Sequence, residues 1–306
     1  SAGASGVAVE DDGRSLLVNV GERPALRYNY EVNEGPKGMD PIYRRSGYIH
    51  PLFTPSGREL TGDFPADHPH QHAVFFAWTN TSLDGRPLNF WDQKGRTGRI
   101  EHVKLEGERE RGPVFAQFGA RLRHLDITTP ESPQPVLNEN WVVRVYNTKG
   151  YFLVDLYSRQ RNTSVWPLVL NKYHYGAMAI RGNDQWFGKP NAMKGFLTSD
   201  GKGREDGNAT RARWVEMHGD LDGQPAGVAI MGHPKNFRAP QPVRLHPSKP
   251  YFCFAPMALG EFEIKPDESY VSQFRFYLHD GPVDAKESER LWNDYANPPK
   301  VVIVKP

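Results

Sequence analysis

The sequence predicts an all-β protein, a large antiparallel β-sandwich with one C-terminal helix. Short segments rich in β-branched and aromatic residues recur along nearly the whole chain, and aromatic residues make up 12% of it. Between them, 29 glycines and 26 prolines in 306 residues punctuate the sequence, with turn signals at Asp12-Gly13, Asn147-Thr148-Lys149-Gly150 and Asp222-Gly223. Only one stretch carries helical periodicity.

In chain order, the composition predicts strands over residues 15–20, 25–30, 73–79, 100–106, 114–123, 136–146, 151–158, 214–218, 227–232 and 270–279. The helix is expected over 284–295, where Leu291, Trp292 and Tyr295 fall on one face. Residues 181–211 are polar and glycine-rich, with Asn183-Asp184, Ser199-Asp200-Gly201-Lys202-Gly203 and Asp206-Gly207-Asn208, and read as a long loop excursion. No composition break or fixed-period repeat divides the chain, so 1–306 reads as one continuous domain.

The formal net charge of +2 gives no reason to expect a nucleic-acid or membrane-surface partner. No apolar run approaches the ~20 residues that a membrane-spanning helix needs, so no membrane insertion is expected. The single cysteine, Cys253, excludes an internal disulfide and reads as a buried, inert thiol. The opening Ser1-Ala2-Gly3-Ala4-Ser5-Gly6 has neither a basic nor an apolar region and reads as an expression scar or as the start of an already processed chain.

Three of the eleven histidines, His68, His70 and His72, occupy alternating positions directly ahead of an apolar run ending in Trp78. Imidazole suits proton transfer, metal binding or sugar contact near neutral pH, so this segment is the first candidate site. On an extended strand the three share one face, which is also how a merely solvated face would look. A metal reading uses His68, His70 and His72, with or without Asp67. Ligands two residues apart on a flat strand lie roughly 6.6–6.8 Å apart and converge on one ion only if the chain bends, as Pro69 allows. A metal-free site with no cofactor is the preferred expectation.

A second cluster is Asn171-Lys172-Tyr173-His174-Tyr175-Gly176, the toolkit for moving a proton from a sugar carbon to a leaving oxygen. Read as a strand, it places Lys172 and His174 on one side and Tyr173 and Tyr175 on the other; a plain aromatic stripe with a satisfied histidine is the alternative. A third cluster holds Arg244 and His246, followed by Tyr251-Phe252-Cys253-Phe254 and by Glu261 and Glu263. Arg244 and His246 alternate to one side and suit a carboxylate or hydroxyl, or a surface salt bridge.

Tyr48-Ile49-His50-Pro51-Leu52-Phe53-Thr54-Pro55-Ser56-Gly57, followed by Phe64-Pro65-Ala66-Asp67-His68-Pro69-His70-Gln71-His72, resembles the signature of the bacterial PmoA-like family of unknown function over most of the chain. That family's label comes from an integral membrane methane monooxygenase subunit, an activity this chain is not expected to share. The wider layout resembles the galactose-mutarotase-like superfamily, which implies a large β-sandwich with its ligand groove on one face. Within that resemblance, Pro167–Tyr175 is similar to the segment bearing an epimerase's catalytic histidine. It implies His174 as acid and the His70/His72 region as the sugar-contacting histidine. Where the pattern places its base glutamate before proline, this chain has Ala255-Pro256, which leaves Glu261 or Glu263 to supply a base. The bacterial resemblance implies a periplasmic or secreted setting.

The expected function is a carbohydrate-active enzyme doing acid/base chemistry on a sugar ring. Lyase- or dehydratase-type β-elimination on an oligosaccharide or polysaccharide comes first, with epimerisation next. His70, His72, Lys172, His174 and Tyr175 are the candidate catalytic residues, and Trp78, Trp91, Arg244, His246 and Glu261 the substrate-binding ones. The rivals are a non-catalytic glycan-binding protein and a histidine-ligated hydrolase acting through metal-bound water.

Overall fold

Alternation of side chains governs the long strands. In Phe115–Asp126, Gln134–Tyr146 and Ser269–Asp280, residues such as Phe118, Leu122, Trp141, Val143, Phe274 and Phe276 are buried, while Gln117, Arg121, Arg144, Gln273 and Arg275 between them are partly exposed. Such a period of two buries one face of a sheet and wets the other. The computed structural model describes residues 6–187, 195–299 and 302.

The described strands form three antiparallel sheets. The first runs from edge to edge as Val7–Asp11, Ser15–Val20, Arg23–Asn29, Tyr48–Leu52, Val74–Ala77, Ala177–Arg181, Tyr251–Phe254 and Val243–Leu245. The second runs Gly195–Thr198, Trp214–Leu221, Gln224–Gly232, Ser269–Asp280, Tyr151–Asn162, Gln134–Tyr146, Phe115–Asp126 and Gly98–Glu110. A small third sheet joins Phe262–Ile264, Leu168–Leu170, Thr81–Leu83 and Arg86–Leu88. The two large sheets face each other: Tyr28 packs on Phe118 and Trp141, with ring centroids 5.2 and 6.2 Å apart, and Phe254 packs on Phe274 at 5.2 Å. The protein is therefore an antiparallel β-sandwich closed by one C-terminal helix.

That helix spans Ala285–Ala296, one residue beyond the expected end. The Asp284 side chain accepts the backbone N–H groups of Lys286 and Glu287 and caps it. Leu291 is buried, and the Trp292 indole N–H donates to the Gly232 carbonyl at 3.0 Å. The expected strand 73–79 contracts to Val74–Ala77, because Ala73 sits at φ +49, outside the extended region. The 181–211 excursion is partly structured. Arg181 ends a strand, Asp184–Trp186 is a 3-10 turn and Gly195–Thr198 is an edge strand, with 188–194 outside the described residues.

A buried polar network ties the two large sheets together. The Glu139 carboxylate, with no exposed surface, accepts from Trp141 Nε1 at 2.6 Å, Ser158 Oγ at 2.5 Å and Gln160 Nε2 at 3.0 Å, and meets His124 Nε2 at 2.7 Å. Gln160 in turn accepts the Trp78 indole N–H at 2.5 Å. Trp78 follows the strand Val74–Ala77 of the first sheet, so this chain of bonds crosses the sandwich.

Burial opposes ionisation of Glu139, yet its partners outweigh that and hold its pKa below the usual carboxylate range. A depressed folded pKa adds stability above the unfolded value and loses it as pH falls through the folded one. Glu139→Ala leaves its donors unpaired and should cost about 3–5 kcal/mol in urea unfolding at pH 7, with the difference from wild type shrinking in acid. An unchanged midpoint would mean that the network carries no stability.

Candidate active site

Register places the site. Ala77 opposes Ala177, Phe75 opposes Ala179, Ala179 opposes Cys253, Arg181 opposes Tyr251, and Cys253 opposes Arg244. Directly paired residues lie on the same face of a sheet, so these eight side chains share the face turned away from the inter-sheet core. Val74, Phe76, Met178, Ile180, Phe252 and Phe254 take the opposite face. The alanines leave a shallow bed, and Trp91 fills it, its ring 4.7 Å from Phe75, 5.4 Å from Tyr175 and 5.8 Å from Tyr251.

Trp91 is held there by local bonding. The Asn89 side chain accepts the N–H groups of Trp91 and Asp92 at 2.9 and 3.0 Å, and Phe90 N–H donates to the Trp78 carbonyl. Around the indole lies a cavity of about 220 Å³. His68, His70, Gln71, Asp92, His174, Tyr175, Arg244, His246 and Tyr251 complete its wall.

The histidine segment reaches this cavity through turns rather than as a strand. His68 N–H donates to the Pro65 carbonyl and Gln71 N–H to the His68 carbonyl. His68 and His70 consequently stand together over the cavity, rings 5.4 Å apart. His72 goes the other way. It pairs with Asp63 in an isolated bridge, places Nδ1 3.0 Å from the Asp63 carboxylate and packs edge-on against Phe64, fully enclosed. The three imidazoles therefore do not surround one point, and among the described residues no group of three histidine, cysteine or acidic side chains is placed to hold a metal ion.

Other expectations need correcting too. Residues 171–176 are a turn between Leu168–Leu170 and Ala177–Arg181, not a strand, because Gly176 takes φ +136, where a side chain would also meet Met257. His174 and Tyr175 both face the cavity as a result, while Lys172 is exposed and does not line it. Trp78 is fully buried in the core and offers no surface to a sugar. Glu261 and Glu263 are exposed and outside the cavity wall, Glu263 lying 3.7 Å from Lys265; the carboxylate in the wall is Asp92. Tyr251, Gln71 and Asp92 were not legible as site residues, since only the register and the Asn89 turn bring them in.

The environment shifts His70, His174 and His246 of the cavity wall toward the neutral form. Burial pushes His70 down to about 4, although Asp92, 3.6 Å from its Nδ1, pulls the other way. Burial, with Lys249 and Arg244 nearby, lowers His246 to about 4, and burial and Arg244 lower His174. The tautomer of His246 is fixed: its Nδ1 accepts the backbone N–H groups of Ser248 and Lys249 at 3.2 and 3.1 Å, so Nε2 carries the proton and is a donor. Burial and the neighbouring Tyr173 raise the Tyr175 phenol to about 12, which keeps it protonated. Cys253 beneath the 171–176 turn is pushed up to about 11 by burial and is a thiol.

The chain belongs to the family of unknown function DUF6807, which matches residues 15–293. The description of that family carries no PmoA-like label. No curated protein sequence matches the chain. Among solved structures, it is similar to a galactose mutarotase related enzyme from Lactobacillus acidophilus, at 10% identity and TM-score 0.37 over 90% of this chain and 100% of that one. A galactose mutarotase-like protein from Lactobacillus casei gives 8% identity and TM-score 0.39 over 89% and 100%. The GH36 alpha-galactosidase AgaA from Geobacillus stearothermophilus gives 8% and 0.40 over 90% of this chain and 41% of its own length. The chemistry has to be read from the cavity itself.

Nitrogen-detected NMR titration should show His70 and His246 neutral down to about pH 4, with His246 protonated on Nε2 throughout. Midpoints near the ordinary ~6.5 would contradict the buried environment described here.

Proposed function

We propose that this protein is a carbohydrate-active enzyme that binds a sugar acid in the Trp91 cavity and performs acid/base β-elimination on it. What carries the reading is the convergence of one guanidinium, neutral imidazoles and a protonated phenol around a single indole. Trp91, 2% exposed and packed against Phe75, Tyr175 and Tyr251, is the floor that positions the polar wall rather than a stacking platform, and guanidinium binds a carboxylate through two parallel hydrogen bonds. At about 220 Å³ the space is below the ~300–1,000 Å³ of drug-sized pockets and suits one sugar ring.

In this reading Arg244 binds the carboxylate and stabilises the negative charge that develops on it. His174, kept neutral by burial and Arg244, takes the proton from the carbon next to the carboxylate. As the double bond forms between that carbon and its neighbour, the C–O bond to the leaving sugar breaks. Tyr175, its ring 4.9 Å from that of His174, gives its proton to the departing oxygen. The Nε2–H of His246 and the His70–Asp92 pair are placed to bind hydroxyls.

Uronate-containing oligosaccharides incubated with the protein should yield products with the ultraviolet absorbance of an unsaturated sugar acid. Tyr175→Phe should lower kcat by about 10²–10⁴ with Tm unchanged. Binding without turnover by the wild type would make this a glycan-binding protein instead.

A further inference from the structure

We propose that a second, cationic groove beside the Trp91 cavity is an extended subsite for further acidic units of the same substrate, which is then an anionic oligo- or polysaccharide rather than a free sugar acid. This rests on the reading of the first cavity given above. The groove has a volume of about 460 Å³. Three guanidiniums, Arg44, Arg96 and Arg99, face one carboxylate, Asp40, with Ile42 and Ile127 supplying apolar surface.

Its place in the fold links it to the cavity. Two 3-10 turns, Pro41–Tyr43 and Gln93–Gly95, pack together. Asp92, in the cavity wall, caps the second turn by accepting from Lys94 N–H at 2.9 Å. Arg96 leaves the same turn at φ +54 and lines the groove. Asp40 caps the first turn through Ile42 N–H and accepts from Arg96 Nη2 at 2.8 Å, so one carboxylate fixes both turns. Asp92 and Arg96 are four positions apart, which bounds their Cα distance at roughly 14 Å, within reach of a short run of linked sugars.

The charges there are only partly matched. Arg96 pairs with Asp40 and Arg99 lies 3.4 Å from Glu101, but among the described residues Arg44, which is exposed, is in no ion pair. Three guanidiniums against two carboxylates, above prolines and isoleucines, leave a net positive groove that suits repeating carboxylates, or sulfates, carried on sugar rings.

Calorimetry on the full chain with galacturonate, its trimer and its hexamer tests this. The hexamer should bind at least about tenfold more tightly than the monomer. Arg44→Ala should remove about tenfold of hexamer affinity while leaving monomer affinity and Tm unchanged, because its side chain is exposed and in no ion pair among the described residues. A sulfated hexamer of a neutral sugar that gains as much from Arg44 identifies the recognised group as anionic rather than specifically carboxylate, and supports the subsite. Monomer binding with an Arg44→Ala variant indistinguishable from wild type on the hexamer overturns the subsite alone. No binding at any length overturns the cavity reading and the subsite with it. A single-stranded oligonucleotide that displaces the hexamer equally, with the same arginine dependence, overturns the glycan assignment of the groove.

Discussion

The Arg181 guanidinium organises the site. Its side chain is 1% exposed at the end of a central strand, and it donates to Gln71 at 3.0 Å and Asp184 at 3.0 Å while lying 3.4 Å from Asp67. A buried cation is costly unless it is paired and hydrogen-bonded, so the partners have little freedom to leave. Two of them, Asp67 and Gln71, bracket the turn that carries His68 and His70. Asp67 also holds Lys249 at 2.6 Å, and Lys249 reaches His68 Nδ1 at 2.8 Å. The Lys249 and Arg181 partners more than offset burial and keep Asp67 near 2, so this carboxylate stays ionised across the neutral range. Three sequence-distant pieces, the histidine turn, the central strand and the loop after His246, are thereby fixed to one another.

The outer loop has its own fastening. Arg204, stacked 4.3 Å over Phe196, donates to the carbonyls of His246 and Lys249. That bond sets the backbone whose N–H groups occupy His246 Nδ1, and so decides which imidazole nitrogen is free to donate to a ligand. Burial lowers the pKa of His70 and His246 and raises that of Tyr175. The pocket thus places acceptors and a donor side by side, an arrangement suited to moving a proton between two atoms of one substrate.

The long strands were legible because one face is wet: Phe118, Trp141 and Phe274 alternate with polar residues, and the period survives in the sequence. The strands that build the site were not. Ala177–Arg181 and Tyr251–Phe254 are buried on both faces, since Trp91 and the histidine turn cover the outer one, and alternation vanishes. The histidine cluster was visible by composition, but its facing was not. Turns at Pro65–Gln71 and the positive φ of Ala73 send His70 to the cavity and His72 to the core. Nothing local separates Trp78 from Trp91 either, because both sit beside apolar residues; only register places one between the sheets and the other under the cavity. Arg244 and His246 were legible as a pair because a strand and its first following residue preserve the period of two.

The proposed function depends on Arg244 anchoring the carboxylate of a sugar acid in the cavity. The most direct measurement is calorimetric binding of a uronic acid and its uncharged parent sugar to the wild type and to Arg244→Gln. The acid should bind the wild type clearly more tightly than the parent sugar, and Arg244→Gln should erase most of that difference while leaving the parent sugar unaffected. Equal binding of acid and neutral sugar by the wild type, or a preference for the acid that survives in Arg244→Gln, would contradict it.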